Sequence, residues 1–179
     1  MTTAQGGQDW RLVGPRATRV LCLRHTGPYS RRLDTWRELT AMVFEQGLSG
    51  PGTRAIGILH DDPMLVPGDR ARYDVCLSLS TESPLTWPTI EKLCSTDGVR
   101  LETVMGDGPM LRLTTPWSPG ELLPPHLFAR PPVFEVYRRS PVFLQPFAPP
   151  VEYLLLLQRQ SSRSANGQHA STSIRGSFG

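Results

Sequence analysis

Among the groups in this sequence able to do chemistry, the most conspicuous is a carboxylate where a strand should be apolar: Glu135, in "PPVFEVYRR". Strand alternation places Val133, Glu135 and Tyr137 on one face and Phe134 and Val136 on the other. A carboxylate between Phe134 and Val136 is out of place unless its face lines a cleft. There, partly withdrawn from water, it attracts a cation and can exchange a proton as a general acid or base. The competing arrangement is an edge-strand Glu, exposed and paired with Arg138 or Arg139, which would do little.

A second concentration of polar groups is "RHTGPYSRRLDTW", residues 24 to 36, which holds His25, Tyr29 and Trp36. His25 is catalytic only with a nucleophile beside it, and the sequence has neither a G-x-S-x-G nor a nucleophilic Cys pattern. It is expected to be a turn histidine. Asp61 and Asp62, in "DDP", suit turn geometry better than paired acid-base work. Asp74 is expected to bond Arg72 or a backbone amide. Cys22, Cys76 and Cys94 are odd in number and widely spaced, with no C-x-x-C and no His pair at metal spacing, so they are expected as buried free thiols. No metal and no cofactor is expected.

With 179 residues and an apolar fraction of 39%, the chain has the length and composition of one globular domain. Its net charge is only +3, and its arginines are dispersed rather than gathered in a run, which argues against direct nucleic-acid binding. There is no apolar run of roughly 18 residues to span a bilayer and no signal-peptide pattern at the start. A cytoplasmic location is expected. From residue 159 to 179 the sequence is rich in Ser, Gly and Arg and poor in apolar residues, the pattern of a disordered tail. Residues 1–16 are read as an N-terminal extension.

The elements that would position these groups follow from punctuation and period. "RVLCLRH" is a strand closed by Gly27-Pro28. A helix over Ser30 to Gln46 follows, with Ser30 as cap, Leu33, Trp36, Leu39 and Val43 on one face, and Gly47 at the exit. "AIGILH" and "RYDVCLSLS" are two further strands. An internal repeat is legible in the spacing. Gly27-Pro28 and Trp36 align with Gly108-Pro109 and Trp117, while "GILHDDP" and "DVCLSL" align with "EVYRRSP" and "EYLLLL". The halves run from about 17 to 81 and from 97 to 158. In the second half "VRLETVM" takes the first-strand position, and Pro116 and Pro119 predict a short or broken helix after Pro109.

Taken together, "LRHTGPY", "TW", "IGILHDDP", "RYDVCLSLS" and "PVFEVYRRSP" resemble the GyrI-like domain, also called the AraC-type effector-binding domain, over residues 17 to 158. The resemblance implies an α+β fold: duplicated strand-helix-strand-strand units forming a curved antiparallel sheet with two helices on one side. It also implies a cleft between the halves for a small, planar or cationic organic molecule. The family's E-x-Y matches Glu135 and Tyr137, so these are the expected anchor, with Trp36, Trp117, Tyr29 and Tyr73 as candidate cleft walls. Trp36 serves equally well as core, and Trp117 as a lid. The chain then reads as a free-standing effector-binding or sequestration protein. Two alternatives accompany that reading: hydrolysis of cyclopropane-bearing natural products through Glu135, with Tyr137 assisting the leaving group, and modulation of gyrase or a regulator as a protein partner, with the apolar loop "PVFLQPFAPP" as a patch.

Overall fold

The computed structural model describes residues 10–14, 16–62, 65–79, 87–95, 98–106, 109–114, 127–137 and 152–159. Trp117, Arg138, Arg139, the "PVFLQPFAPP" loop, the segment 115–126 and the tail from residue 160 lie outside them. Among the described residues eight strands form one antiparallel sheet: β1 (Trp10–Val13), β2 (Thr18–Thr26), β3 (Ala55–Leu59), β4 (Arg72–Ser78), β5 (Val99–Val104), β6 (Met110–Leu113), β7 (Leu127–Tyr137) and β8 (Glu152–Arg159). Two α-helices, again among the described residues, join them, α1 (Arg32–Glu45) and α2 (Trp87–Cys94). The α+β class and the curved antiparallel sheet are as expected.

The strand order β1-β6-β8-β7-β3-β4-β2-β5 carries the duplication. Reading outward from the central β3/β7 pair, β4, β2 and β5 on one side answer to β8, β6 and β1 on the other. Gly57 of β3 lies directly opposite Glu135 of β7, the two residues that the repeat sets in equivalent positions. The outermost strands are exchanged: β1 leads into β2 but pairs with β6, and β5 leads into β6 but pairs with β2. Consequently β6, and not residues 99–105, holds the place of β2 in the second half. The Gly-Pro anchors are thereby uncoupled, because Gly27-Pro28 follows β2 whereas Pro109 precedes β6. Strand β6 occupies the start of the segment after Pro109; the rest of it, residues 115–126, where a short or broken helix was expected, lies outside the described residues, and α2 lies earlier in the chain. The presumed N-terminal extension supplies β1.

This order forces curvature. Strands β1 and β2 stand six places apart, about 29 Å in a flat sheet, yet five residue steps from Val13 to Thr18 reach at most about 17 Å. The sheet therefore curls, which brings Val13 of β1 onto the same core cluster as Val20 of β2 and Val104 of β5. All eight strands or their ends contribute to the core on the inner face of the curl, among them Val13, Cys22, Ile56, Cys76, Val104, Met110, Phe134 and Leu154. Cys22 and Cys76 are buried free thiols and Cys94 is half-buried.

Helix α1 covers the other face. Trp36, Leu39 and Val43 fall on one side of it and pack on Leu21, Leu23, Tyr73, Val75 and Leu77, and Leu93 of α2 joins the same cluster. Ser30 does not cap α1: a 3-10 turn, Tyr29–Arg31, precedes it, and no side chain caps either element. Gly47 ends the helix as expected, at φ 65°, with the Gly47 and Leu48 amides donating back to the Phe44 and Val43 carbonyls. Among the described residues no helix is long and apolar enough to cross a membrane.

Candidate functional site

Glu135 is not an edge residue. It lies mid-strand in β7, between β3 and β8, on the face that carries α1, and is only 6% exposed. Two phenols hold it: the Tyr73 hydroxyl donates to Oε2 at 2.6 Å and the Tyr137 hydroxyl to the same atom at 2.7 Å. Burial first, and then the adjacent Glu135 carboxylate, push both phenols well above their ordinary range. Both therefore remain protonated donors at neutral pH. No hydrogen bond from the described residues ends on Oε1, which is left as the acceptor that an added group would meet.

The way Tyr73 reaches Glu135 depends on a missing side chain. Tyr73 is opposite Leu59, one step along the face from Gly57, and its ring passes over Gly57. A Cβ at Gly57 would stand 1.8 Å from the Tyr73 hydroxyl oxygen. Space is what makes glycine necessary at this strand position.

Aromatic groups surround the carboxylate. Tyr29 tilts against Tyr73 with ring centroids 5.9 Å apart, and its hydroxyl donates to the Asp61 carbonyl at 2.9 Å. Trp36 meets Tyr137 edge-on, with centroids 5.6 Å apart. Trp36 is fully buried in the core, and its indole N–H has no acceptor among the described residues. Tyr153 is the direct cross-strand partner of Glu135 on β8. Its hydroxyl is shifted upward by burial and then by Glu135, which makes it a neighbour that sequence reasoning missed. The cross-strand register is the signal that would have found it.

A cation completes the site. Arg32, in the first turn of α1, places its guanidinium carbon 5.3 Å from the centre of the Tyr73 ring, and Nη1 donates to the Tyr29 carbonyl at 2.8 Å. Burial opposes its charge, but Glu135 and the two phenols outweigh that cost and raise its pKa further. Glu135, Tyr73 and Tyr137 are all buried.

The remaining polar residues serve the scaffold. His25 bonds the Pro28 carbonyl through Nε2 and the Thr35 hydroxyl through Nδ1, at 3.0 and 3.1 Å. Because a carbonyl only accepts, Nε2 carries the proton, and a neutral ring then accepts from Thr35 at Nδ1. Asp61, not Asp74, takes Arg72, which donates Nη2 at 2.6 Å and its backbone amide at 2.8 Å. Those bonds draw the Asp61 carboxyl down to about 2. Asp74 lies on the inner face, 1% exposed, and collects Arg24, His60 and Arg100. Burial works against its charge, yet the Arg24 and His60 hydrogen bonds hold its carboxyl far below the usual range. Among the described residues no group of acidic, His and Cys side chains is placed to hold a metal.

Since both carboxyls are depressed on folding, their stabilisation is present above the unfolded value of about 4 and is lost as pH falls through the folded values. Asp74→Asn is expected to cost about 1–3 kcal/mol at pH 7, because it strands two partly exposed guanidinium groups around a buried amide. Urea unfolding at pH 7, 4 and 2.5 checks this: the variant should lose less stability than wild type across the acid range.

The family model for the GyrI-like small molecule binding domain matches residues 13–103, just over half of the chain. The chain belongs to that family. Its fold is also that of the solved EcmrR C-terminal domain, with a TM-score of 0.55 and 9% identity over 86% of this chain and 99% of that one. A search of curated proteins finds no match. This GyrI-like chain thus joins a small-molecule-binding family, and the matched segment holds Tyr29, Arg32, Trp36, Gly57 and Tyr73, while Glu135, Tyr137 and Tyr153 come from the second half.

Proposed function

We propose that this GyrI-like protein binds a planar organic cation in the cleft where β3 meets β7, with Glu135 as anchor and Tyr29, Tyr73, Tyr137 and Tyr153 as walls. The observation that carries this reading is Arg32. A flat cation, its guanidinium, already rests over the Tyr73 ring within the field of Glu135, so the site is built for a delocalised positive charge. A ligand cation takes the place of Arg32, which swings out on its flexible stem. The Tyr73 and Tyr137 hydroxyls keep the carboxylate fixed while Oε1 accepts from the ligand. The role is that of an effector-binding or sequestration domain.

Calorimetry with two flat tricyclic probes tests this at pH 7: proflavine, which is cationic, and acridone, which is neutral. Proflavine should bind at one site per chain and at least tenfold more tightly than acridone. Equal affinity for the two removes the cation from the proposal. Arg32→Ala vacates the position that the probe is to occupy, so proflavine should bind that variant severalfold more tightly than wild type.

A further inference from the structure

A cavity that shares no residue with the proposed Glu135 site opens between the start of β2, the turn before β3, the end of β4 and the first turn of α2. It has a volume of about 530 Å³, within the usual range of small-molecule sites. Among the described residues three arginines line it, Arg16, Arg19 and Arg54, and no carboxylate does. None of the three guanidinium groups makes an ion pair or hydrogen bond with the described residues, in contrast to Arg24, Arg72 and Arg100, each of which is paired to an acid. The apolar walls are Leu79, Ile90 and Trp87. Trp87 is 57% exposed, and its indole N–H donates to Glu91 of the next turn, which orients the ring. Helix α2 also begins at this cavity, with no acidic residue in its first turn, so the positive end of its dipole adds to the three charges.

We propose that this cavity is a second binding site, selective for a small aromatic anion: a ring that stacks on Trp87 and a carboxylate, sulfonate or phosphate held by Arg19 and Arg54. Cations that have no partner among the described residues, set around an apolar wall, meet both halves of such a molecule. Arginine is suited to the task because its planar fork grips an oxyanion through two bonds. The charge preference is opposite to that of the Glu135 cleft, so each site excludes the ligand of the other.

The test is calorimetric titration of the full chain with 1-naphthalenesulfonate. Wild type should bind it, Arg19→Ala/Arg54→Ala should bind at least tenfold more weakly, and Arg19→Lys/Arg54→Lys, which keeps the charges but not the two-bond grip, should fall between the two. Circular dichroism and thermal melting confirm that these surface variants fold. Glu135→Gln should bind the sulfonate as wild type does, which separates this site from the cleft. Unchanged affinity in the double alanine variant overturns the proposal, and so does loss of sulfonate binding in Glu135→Gln.

Discussion

Glu135→Gln is expected to weaken proflavine binding by roughly tenfold to a hundredfold, about 1.4–2.7 kcal/mol, while leaving the fold intact. The substitution keeps shape and removes charge. The amide oxygen of Gln can still accept from Tyr73 and Tyr137, which now donate to Oε2 at 2.6 and 2.7 Å, so the two phenols keep their partner. What is lost is the attraction between a delocalised cation and a carboxylate that is only 6% exposed, where water screens poorly. The same change removes the field that holds Arg32 charged against its burial, and Arg32 should become more mobile. Calorimetry on wild type and Glu135→Gln, with melting curves for both, decides the matter. Equal affinities with equal melting temperatures would exclude Glu135 as the anchor and leave the aromatic walls to bind alone.

Much of this site was legible in the sequence because the relevant rules are local. A carboxylate between Phe134 and Val136 breaks strand alternation, and that single irregularity located Glu135 and, by parity, Tyr137. The helix face of Trp36, Leu39 and Val43 followed from period. The spacing that sets Gly57 against Glu135 survived as a direct pairing across the β3/β7 junction. Residues that depend on register across strands were hidden. Tyr153 meets Glu135 only because β8 pairs with β7 at one register, and Arg32 reaches Tyr73 only because a 3-10 turn sets the phase of α1. The partner of Asp74 was misassigned for the same reason: Arg24, His60 and Arg100 reach it from other parts of the sheet, while Arg72, two residues away on the same strand, is taken by Asp61. The exchange of β1 and β5 was also invisible. Two short strands of four residues, β1 and β6, carry too little pattern to be read, and the repeated Gly-Pro pair then offered a false anchor.

Gly57 makes the sharpest demand on packing, and Gly57→Ala is expected to destabilise the protein by about 1–3 kcal/mol, the usual cost of overpacking. In an ordinary strand the same change would be neutral or helpful, since glycine is a poor strand residue. Here the new Cβ would lie 1.8 Å from the Tyr73 hydroxyl oxygen and 2.5 Å from the ring carbon that bears it. Neither atom is the tip of a flexible chain: the ring is rigid, fully buried, and held by Tyr29 on one side and Glu135 at its end. Relief requires the ring to leave, which breaks its bond to Glu135 and vacates the surface beneath Arg32. Thermal melting should therefore fall by roughly 2–4 °C for each kcal/mol lost, as in domains of this size. A double-mutant cycle isolates the cause. In a Tyr73→Ala background the ring is gone, and Gly57→Ala should then cost less than about 0.5 kcal/mol, giving a large coupling between two residues that are not paired in the sheet. If the cost of Gly57→Ala is the same in both backgrounds, the glycine serves the backbone of β3 and not the passage of Tyr73. If instead the coupling appears, and proflavine binding falls with stability in Gly57→Ala alone, the empty position at residue 57 is what allows one half of the duplicated fold to hold the carboxylate of the other.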